Sequence, residues 1–290
     1  MTVTARRAAR MHDPHGLPTE AAIMPRASGE NFAVAGLLLG RANRDHLLAI
    51  YGFARLVDQL GDEVEGDRLA KLDVLEGEVD RVFGGAPEHP LMQRLQATAR
   101  ACSFPRDPFD RLIEANRRDQ TQVDYRTFGE LRDYCRLSAD PVGELVLHVF
   151  GVATPERIER SDDVCTALQL AEHWQDVAED AARGRIYLPA EDRARFGVER
   201  ADLAAPHASR ALRDLLRFQV DRARTLLDCG APLVGTLGGR ARIAVAGYVA
   251  GGRAALDAIE AAGYDVLPGA PAPAKPRRLA LTLKGLVSGR

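Results

Sequence analysis

Paired cysteines, long apolar runs, strand-type alternation and excess charge of either sign are all scarce in this sequence. The four cysteines, Cys102, Cys135, Cys165 and Cys229, lie far apart, with no CxxC and no neighbouring histidine pair. That spacing argues against a zinc module and fits reduced, mostly buried thiols in a cytoplasmic protein. No apolar run reaches the ~18–20 residues that span a bilayer. The longest, Ala33–Gly40 and Ile243–Gly251, are short and rich in Gly and Ala. With 39 basic and 41 acidic residues the net charge is -2, without the basic excess of a nucleic-acid binder. No GxGxxG follows a strand; Gly235-Thr-Leu-Gly238-Gly239 has none before it and reads as a helix break. The first 27 residues hold Arg6, Arg7 and Arg10 but no apolar core of a secretory signal. They read as a mobile tail. Peripheral contact at the inner membrane face stays compatible with all of this.

What remains is helix. Across 290 residues, 46% of them hydrophobic, the dominant period is near 3.6. A first helix runs from Arg44 as RDHLLAIYGFARLVDQLGDE, apolar where it starts and acidic where it ends. Gly66-Asp67 precedes a helix over Arg68–Phe83, which GGAPEHP closes. Pro90–Cys102 and Asp107–Asp119 follow. Thr127, with Glu130 three residues on, predicts a capping box. The helix it starts is expected to run through ELRDYCRLSADPVGELVLHVFG with a kink near Pro141. Ser161 or Asp162 is expected to cap a helix over Asp163–Ala182, with Arg185–Pro189 as an extended exit. Helices near Ser209–Cys229 and Gly239–Ala262 complete an all-α, single-domain helical bundle. The expected boundaries are a tail over 1–27, the helical domain over 28–267, and a Pro-rich, basic tail over 268–290.

The chemistry concentrates in Ala167–Pro189, ALQLAEHWQDVAEDAARGRIYLP. Glu172, Asp176 and Asp180 stand four residues apart, so on a helix each turns ~400° from the last and all share one face. Stacked like charges cost an isolated helix a few tenths of a kcal/mol per pair. A hard divalent cation such as Mg²⁺ offsets that cost and leaves coordination positions open for phosphate. A second acidic step, Asp58 to Asp62 with Glu63, follows Arg55 and Tyr51 at one-turn intervals. Taken singly, each cluster also reads as a solvated helix face. Together, two such helices facing each other across a bundle would bind a diphosphate through several Mg²⁺ ions.

Three blocks, YGFARLVDQLGDE, YCRLSADPVGELV and LQLAEHWQDVAEDAARGRIYLP, resemble the squalene/phytoene synthase family in order and spacing. The resemblance runs from about Ser28 to Asp265. GENFAVAGLLLGR, DYCRLSADPVGELVLHVFG and the WQD of the second acidic helix resemble its bacterial hopanoid-pathway, hydroxysqualene synthase branch. The resemblance implies the class I isoprenoid synthase bundle with a central apolar cavity. It implies Mg²⁺ on Asp58, Asp62, Asp176 and Asp180, the catalytic set, with Glu172 where the family has Asn and Gln59 where it has a paired aspartate. Tyr51, Arg55, Arg185 and Tyr187 fall where the family holds diphosphate or closes the pocket, and Tyr248 matches a tyrosine of its last core helix. Arg277 or Arg278 matches a late basic contact. For Tyr248 and Trp174 a plain packing role stands equally open, and His148, in an apolar helix, reads as a core or lining residue rather than a base.

The implied reaction ionises presqualene diphosphate and lets water capture the rearranged cation as hydroxysqualene. Leu137 stands where the full squalene synthases carry an aromatic three residues after the tyrosine, which fits quenching by water. The alternative is head-to-head coupling of farnesyl or geranylgeranyl diphosphates. A non-catalytic helical assembly factor is the rival from another class, and pathway enzymes for squalene formation are the implied partners.

Overall fold

The computed structural model describes residues 16–24 and 39–272, which form two compact units. Among the described residues there is no β-strand, and none of the helices is long and apolar enough to cross a membrane. The GENFAVAGLLLGR block up to Leu38, Arg277, Arg278 and most of both expected tails lie outside the described residues.

The first unit holds residues up to 121 together with 144–153. It opens with a short helix α1 (Glu20–Ile23), which brings Leu17 and Ile23 into the core. Part of the stretch expected as a mobile tail is therefore packed. Helices α2 (Arg41–Asp62), α3 (Arg68–Gly84), α4 (Pro90–Cys102) and α5 (Asp107–Arg118) follow. Each start has a local cause. Asp67 accepts the Ala70 backbone N–H at 3.0 Å to cap α3, and His89 accepts that of Leu91 at 3.2 Å beside Pro90 in the first turn of α4. Phe53, Leu56 and Leu60 of α2 are buried, with Phe53 edge-on to Phe109 of α5 at 5.0 Å between ring centres. Such a buried aromatic pair contributes ~1 kcal/mol beyond the area it hides.

In the second unit, residues 122–143 and 154 onward, α6 (Phe128–Ser138) is capped by Thr127, whose hydroxyl accepts the Glu130 N–H at 3.2 Å. The reciprocal half of the expected box differs: Glu130 accepts from the Arg126 N–H at 2.7 Å. The helix expected to kink at Pro141 instead ends at Ser138, and α7 (Asp140–Val149) begins anew. Pro141 then sits in a first turn, where the missing N–H costs nothing.

The next helix departs furthest from the sequence reading. α8 runs Pro155–Gln175, started by Thr154, whose hydroxyl accepts the Arg157 N–H at 3.4 Å, and by Pro155 at its first position. Ser161 and Asp162 are interior to it and cap nothing. A short α9 (Val177–Ala182) continues after a distortion at Asp176. Then come α10 (Ala190–Phe196), a 3₁₀ turn at Arg200–Ala204, α11 (Arg210–Gly230), α12 (Leu233–Thr236) and α13 (Gly239–Ala261). α8 is the hub of this unit, packed along α11 and α13. Gly230 allows the close approach, since a Cβ there would stand 2.6 Å from the Arg160 carbonyl oxygen.

Candidate functional site

The first acidic step occupies the C-terminal turns of α2. Tyr51, Arg55, Asp58 and Asp62 are spaced by four, three and four residues, which keeps them on one helix face. Burial falls along that face: Tyr51 is buried, Arg55 half-buried, Asp58 and Asp62 exposed. The Arg55 guanidinium sits 3.5 Å from a Glu63 carboxylate oxygen and 4.0 Å from one of Asp58. This cluster therefore carries its own counter-charge. Its backbone is fixed from below by Gly61, where an added Cβ would meet Asn116 Oδ1 of α5 at 2.1 Å. The Gln120 amide also donates to the Gly61 carbonyl at 3.0 Å.

The second step, in the other unit, is built differently. Glu172 is exposed, whereas Asp176 and Asp180 are half-buried. Asp176 has φ -102° and ψ 16°, the sparsely populated bridge region where active-site residues often sit. Hydrogen bonds of the helical i, i+4 type still run across it, from Asp176 N–H to Glu172 O at 3.0 Å and from Asp180 N–H to Asp176 O at 2.9 Å. The helix is bent at the middle rung of its carboxylate ladder, ending at Gln175 and resuming at Val177, with these two bonds bridging the break.

Burial and then Asp176 push the Asp180 carboxyl up to about 7, although Arg183 and Arg185 pull the other way. Asp176 is raised too, by burial and then by Glu179. The chain after α9 folds over this pair. The backbone N–H groups of Arg183 and Arg185 donate to the Asp180 carbonyl at 3.0 and 2.9 Å, through Gly184 at φ 83°. A left-handed residue at that step favours glycine, which explains the Gly between the two arginines.

Tyr187 completes the second cluster from an aromatic stack. Its ring lies on His173 with 3.6 Å between centres and 12° between planes, and Tyr125 and Tyr134 stand 5.7 and 5.8 Å away. Burial drives the His173 pKa down to about 3, so the imidazole is neutral. The segment carrying Tyr187 is clasped in place. Ile186 N–H donates to the Val123 carbonyl at 2.8 Å, and Asp124 accepts from Arg193 Nη2 at both its oxygens, at 2.9 and 2.8 Å, and from Arg200.

Tyr125, Asp124, Arg193 and the role of His173 were not visible in the sequence. Asp124 and Arg193 are 69 residues apart, and no short-range pattern links them. Tyr134 was visible as part of a motif but not as a member of this stack.

The remaining candidates sit elsewhere. Tyr248 lies on α13, its phenol pushed up by burial and by Cys165. Trp174 is fully buried, and among the described residues its indole N–H meets no hydrogen-bond acceptor. His148 is half-buried and edge-on to Phe104 at 6.2 Å. All four cysteines are free; Cys135 is buried and Cys229 exposed, against the expectation of a mostly buried set. A cavity of about 440 Å³ opens on the side of α9 away from its carboxylates, lined by Ala178, Ala181, Gly184, Ile186, Arg200 and Leu267.

Among the described residues no three His, Cys, Asp or Glu side chains converge into a ready-made metal cage. Mg²⁺ seldom uses one: it is usually held by one or two carboxylates, several waters and substrate phosphate. Asp176 and Asp180 match that donor set. Two half-buried carboxylates, both raised by burial and Asp180 raised further by Asp176, are a pair short of positive charge, and a hard dication supplies it. The residues present fit Mg²⁺.

Comparison with known proteins gives the same frame. The family model for squalene/phytoene synthase matches residues 25–283. A crystal structure of squalene synthase HpnC from Alicyclobacillus acidocaldarius is 46% identical with a TM-score of 0.78, covering 82% of this chain and 91% of that one. Hydroxysqualene synthase of Rhodopseudomonas palustris is 36% identical over 208 residues, 70% of each chain. The 15-cis-phytoene synthase of Synechococcus elongatus is 32% identical over 251 residues, 82% of each.

Proposed function

Because this chain belongs to the squalene/phytoene synthase family, we propose that it converts presqualene diphosphate and water to hydroxysqualene and diphosphate. The observation that carries this choice within the family is the 46% identity to squalene synthase HpnC, beside three hydroxysqualene synthases at 32–36%. Half-buried Leu137, in place of an aromatic, supports it.

In this reading Asp176 and Asp180 hold Mg²⁺, and Asp58 and Asp62 carry the family's first aspartate motif with the same task. Glu172 adds a further carboxylate at the rim. When bound, Mg²⁺ supplies positive charge that offsets the charge developing on the departing diphosphate. Arg55 and Arg185 are assigned to its oxygens, because a planar guanidinium can bond phosphate in bidentate fashion. Tyr51, Tyr187 and Tyr248 are assigned to the substrate pocket. Leu- and Ala-rich helix faces shelter the cation until water adds to it. Stabilising the leaving group would be the largest catalytic contribution.

Two arms test this. Purified protein with Mg²⁺ and presqualene diphosphate is expected to yield hydroxysqualene and one diphosphate per turnover, identified by mass spectrometry. With farnesyl diphosphate alone it is expected to yield nothing. A C30 or C40 hydrocarbon skeleton from farnesyl or geranylgeranyl diphosphate would instead establish head-to-head coupling, the reading that likeness to phytoene synthase favours. Calorimetry showing no binding of Mg²⁺ with diphosphate would overturn both and point to an assembly factor.

A further inference from the structure

We propose that His173 is a positioning residue whose ring N–H aims the Asp180 carboxylate at the bound cation, an inference that rests on the metal reading above. The argument starts one turn upstream. Gln169 places its side-chain nitrogen 3.3 Å from His173 Nε2. An amide nitrogen only donates, so Nε2 must accept, and the single proton of the ring sits on Nδ1. An imidazolium would set a donor against a donor at this contact. Nδ1 in turn lies 3.9 Å from Asp180 Oδ2, about 1 Å beyond an N–H···O contact, so a small shift of the carboxylate would close it.

The ring cannot swing away. His173 is 6% exposed and lies flat on Tyr187, itself pinned by the Asp124 clasp. Gln169, His173 and Asp180 thus form a line in which a half-buried amide fixes a tautomer and the tautomer offers a hydrogen to a carboxylate. Engaging Oδ2 would leave Oδ1 available to a cation. Partners of this outer kind typically change metal affinity by about 10–100-fold when removed. The plain alternative is a core histidine that only packs, and substitution separates the two.

His173→Phe keeps a flat ring on Tyr187 but removes the donor, while His173→Asn keeps an N–H near the Nδ1 position and removes the stack. The measurement is Mn²⁺ affinity of the full chain, by electron paramagnetic resonance in the presence of inorganic diphosphate. His173→Phe is expected to weaken binding about 10–100-fold and His173→Asn to stay within about threefold of wild type. In turnover assays the His173→Phe loss should appear as a higher Mg²⁺ requirement, largely overcome at saturating Mg²⁺. Wild-type affinity in His173→Phe would overturn the proposal, as would His173→Asn binding as weakly as His173→Phe. Should His173→Phe fail to fold, Gln169→Leu frees the tautomer and is expected to weaken Mn²⁺ about fivefold, within the range for such partners. Unchanged affinity there would overturn it equally. Asp180→Asn distinguishes the two levels. If it abolishes Mn²⁺ binding while His173→Phe does not, only the positioning role falls. If Asp180→Asn binds normally, the metal reading falls and takes this proposal with it.

Discussion

The two acidic helices carry the same four-residue step in opposite electrostatic states. On α2 the carboxylates are exposed, and Arg55 lies within 4.0 Å of Asp58 and 3.5 Å of Glu63. At the α8–α9 junction they are half-buried, each raises its own proton affinity through burial, and Asp176 adds to that of Asp180. Charges near water interact weakly and are screened, whereas the same charges in a drier setting interact several-fold more strongly. A cation bound at the second cluster therefore gains more per carboxylate than one bound at the first. The sequence pattern alone ranks the two clusters equally; burial separates them.

The largest test of that difference is in turnover. Asp180→Asn is expected to lower kcat about 10³-fold and Asp58→Asn about 10²-fold, in the range found when one group that stabilises developing charge is removed. Equal losses, or a larger one for Asp58→Asn, would break the ranking. Both proteins should keep the helical far-ultraviolet dichroism of the parent, since neither side chain supports the core.

A second test asks what holds the first cluster in place. Gly61→Ala drives a methyl into Asn116 Oδ1 and is expected to cost about 1–3 kcal/mol, as overpacking usually does. Adding Asn116→Ala should recover most of it, read as the urea midpoint. No recovery would mean that the turn is fixed otherwise.

Most of this architecture was legible in the sequence. The starts of α3, α4 and α5 follow from Asp67, Pro90 and Asp107-Pro108, residues that act on their own backbone within a turn. The start of α8 was missed although Thr154-Pro155 announces it by the same rules, because Ser161 and Asp162 offered a rival cap nearer the motif. The break before Pro141 was read as a kink because periodicity alone does not separate one bent helix from two. The carboxylates and arginines of the candidate site were legible from spacing. The neutral His173 between Gln169 and Asp180, and the Asp124 clasp, were not. Both depend on distances across the folded unit and on desolvation, and neither leaves a local trace.

The electrostatic contrast has a consequence for stability against pH. For Asp180 the folded value, about 7, lies above the ordinary carboxylate value of 3.8. Between those two values the native state binds more protons than the unfolded chain, so metal-free stability falls as pH rises from about 4 to 7 and is flat above. Solvent screening trims the effect to on the order of 1–2 kcal/mol. Urea midpoints at pH 5 and pH 8 are expected to differ accordingly, to converge in Asp180→Asn, and to converge again on adding Mg²⁺ with diphosphate. Asp58→Asn is expected to leave the difference intact. If that substitution removed it, the source would lie in the wrong cluster.

The smallest effect is expected at Glu172, the first rung of the second ladder. It shares a helix face with Asp176 and Asp180 by spacing, yet it is exposed where they are half-buried. Exposed substitutions away from special backbone usually fall within about 0.5 kcal/mol in stability, and Glu172→Asn should do so. Its backbone carbonyl, which accepts the Asp176 N–H at 3.0 Å, is untouched by the change. Removing one screened charge should alter the Mg²⁺ requirement by less than about tenfold, because the ionic interaction it loses is one with mostly solvated partners. A loss on the scale of Asp180→Asn would show that the cation lies at the rim of the ladder, and that the buried rungs serve mainly to shape the turn.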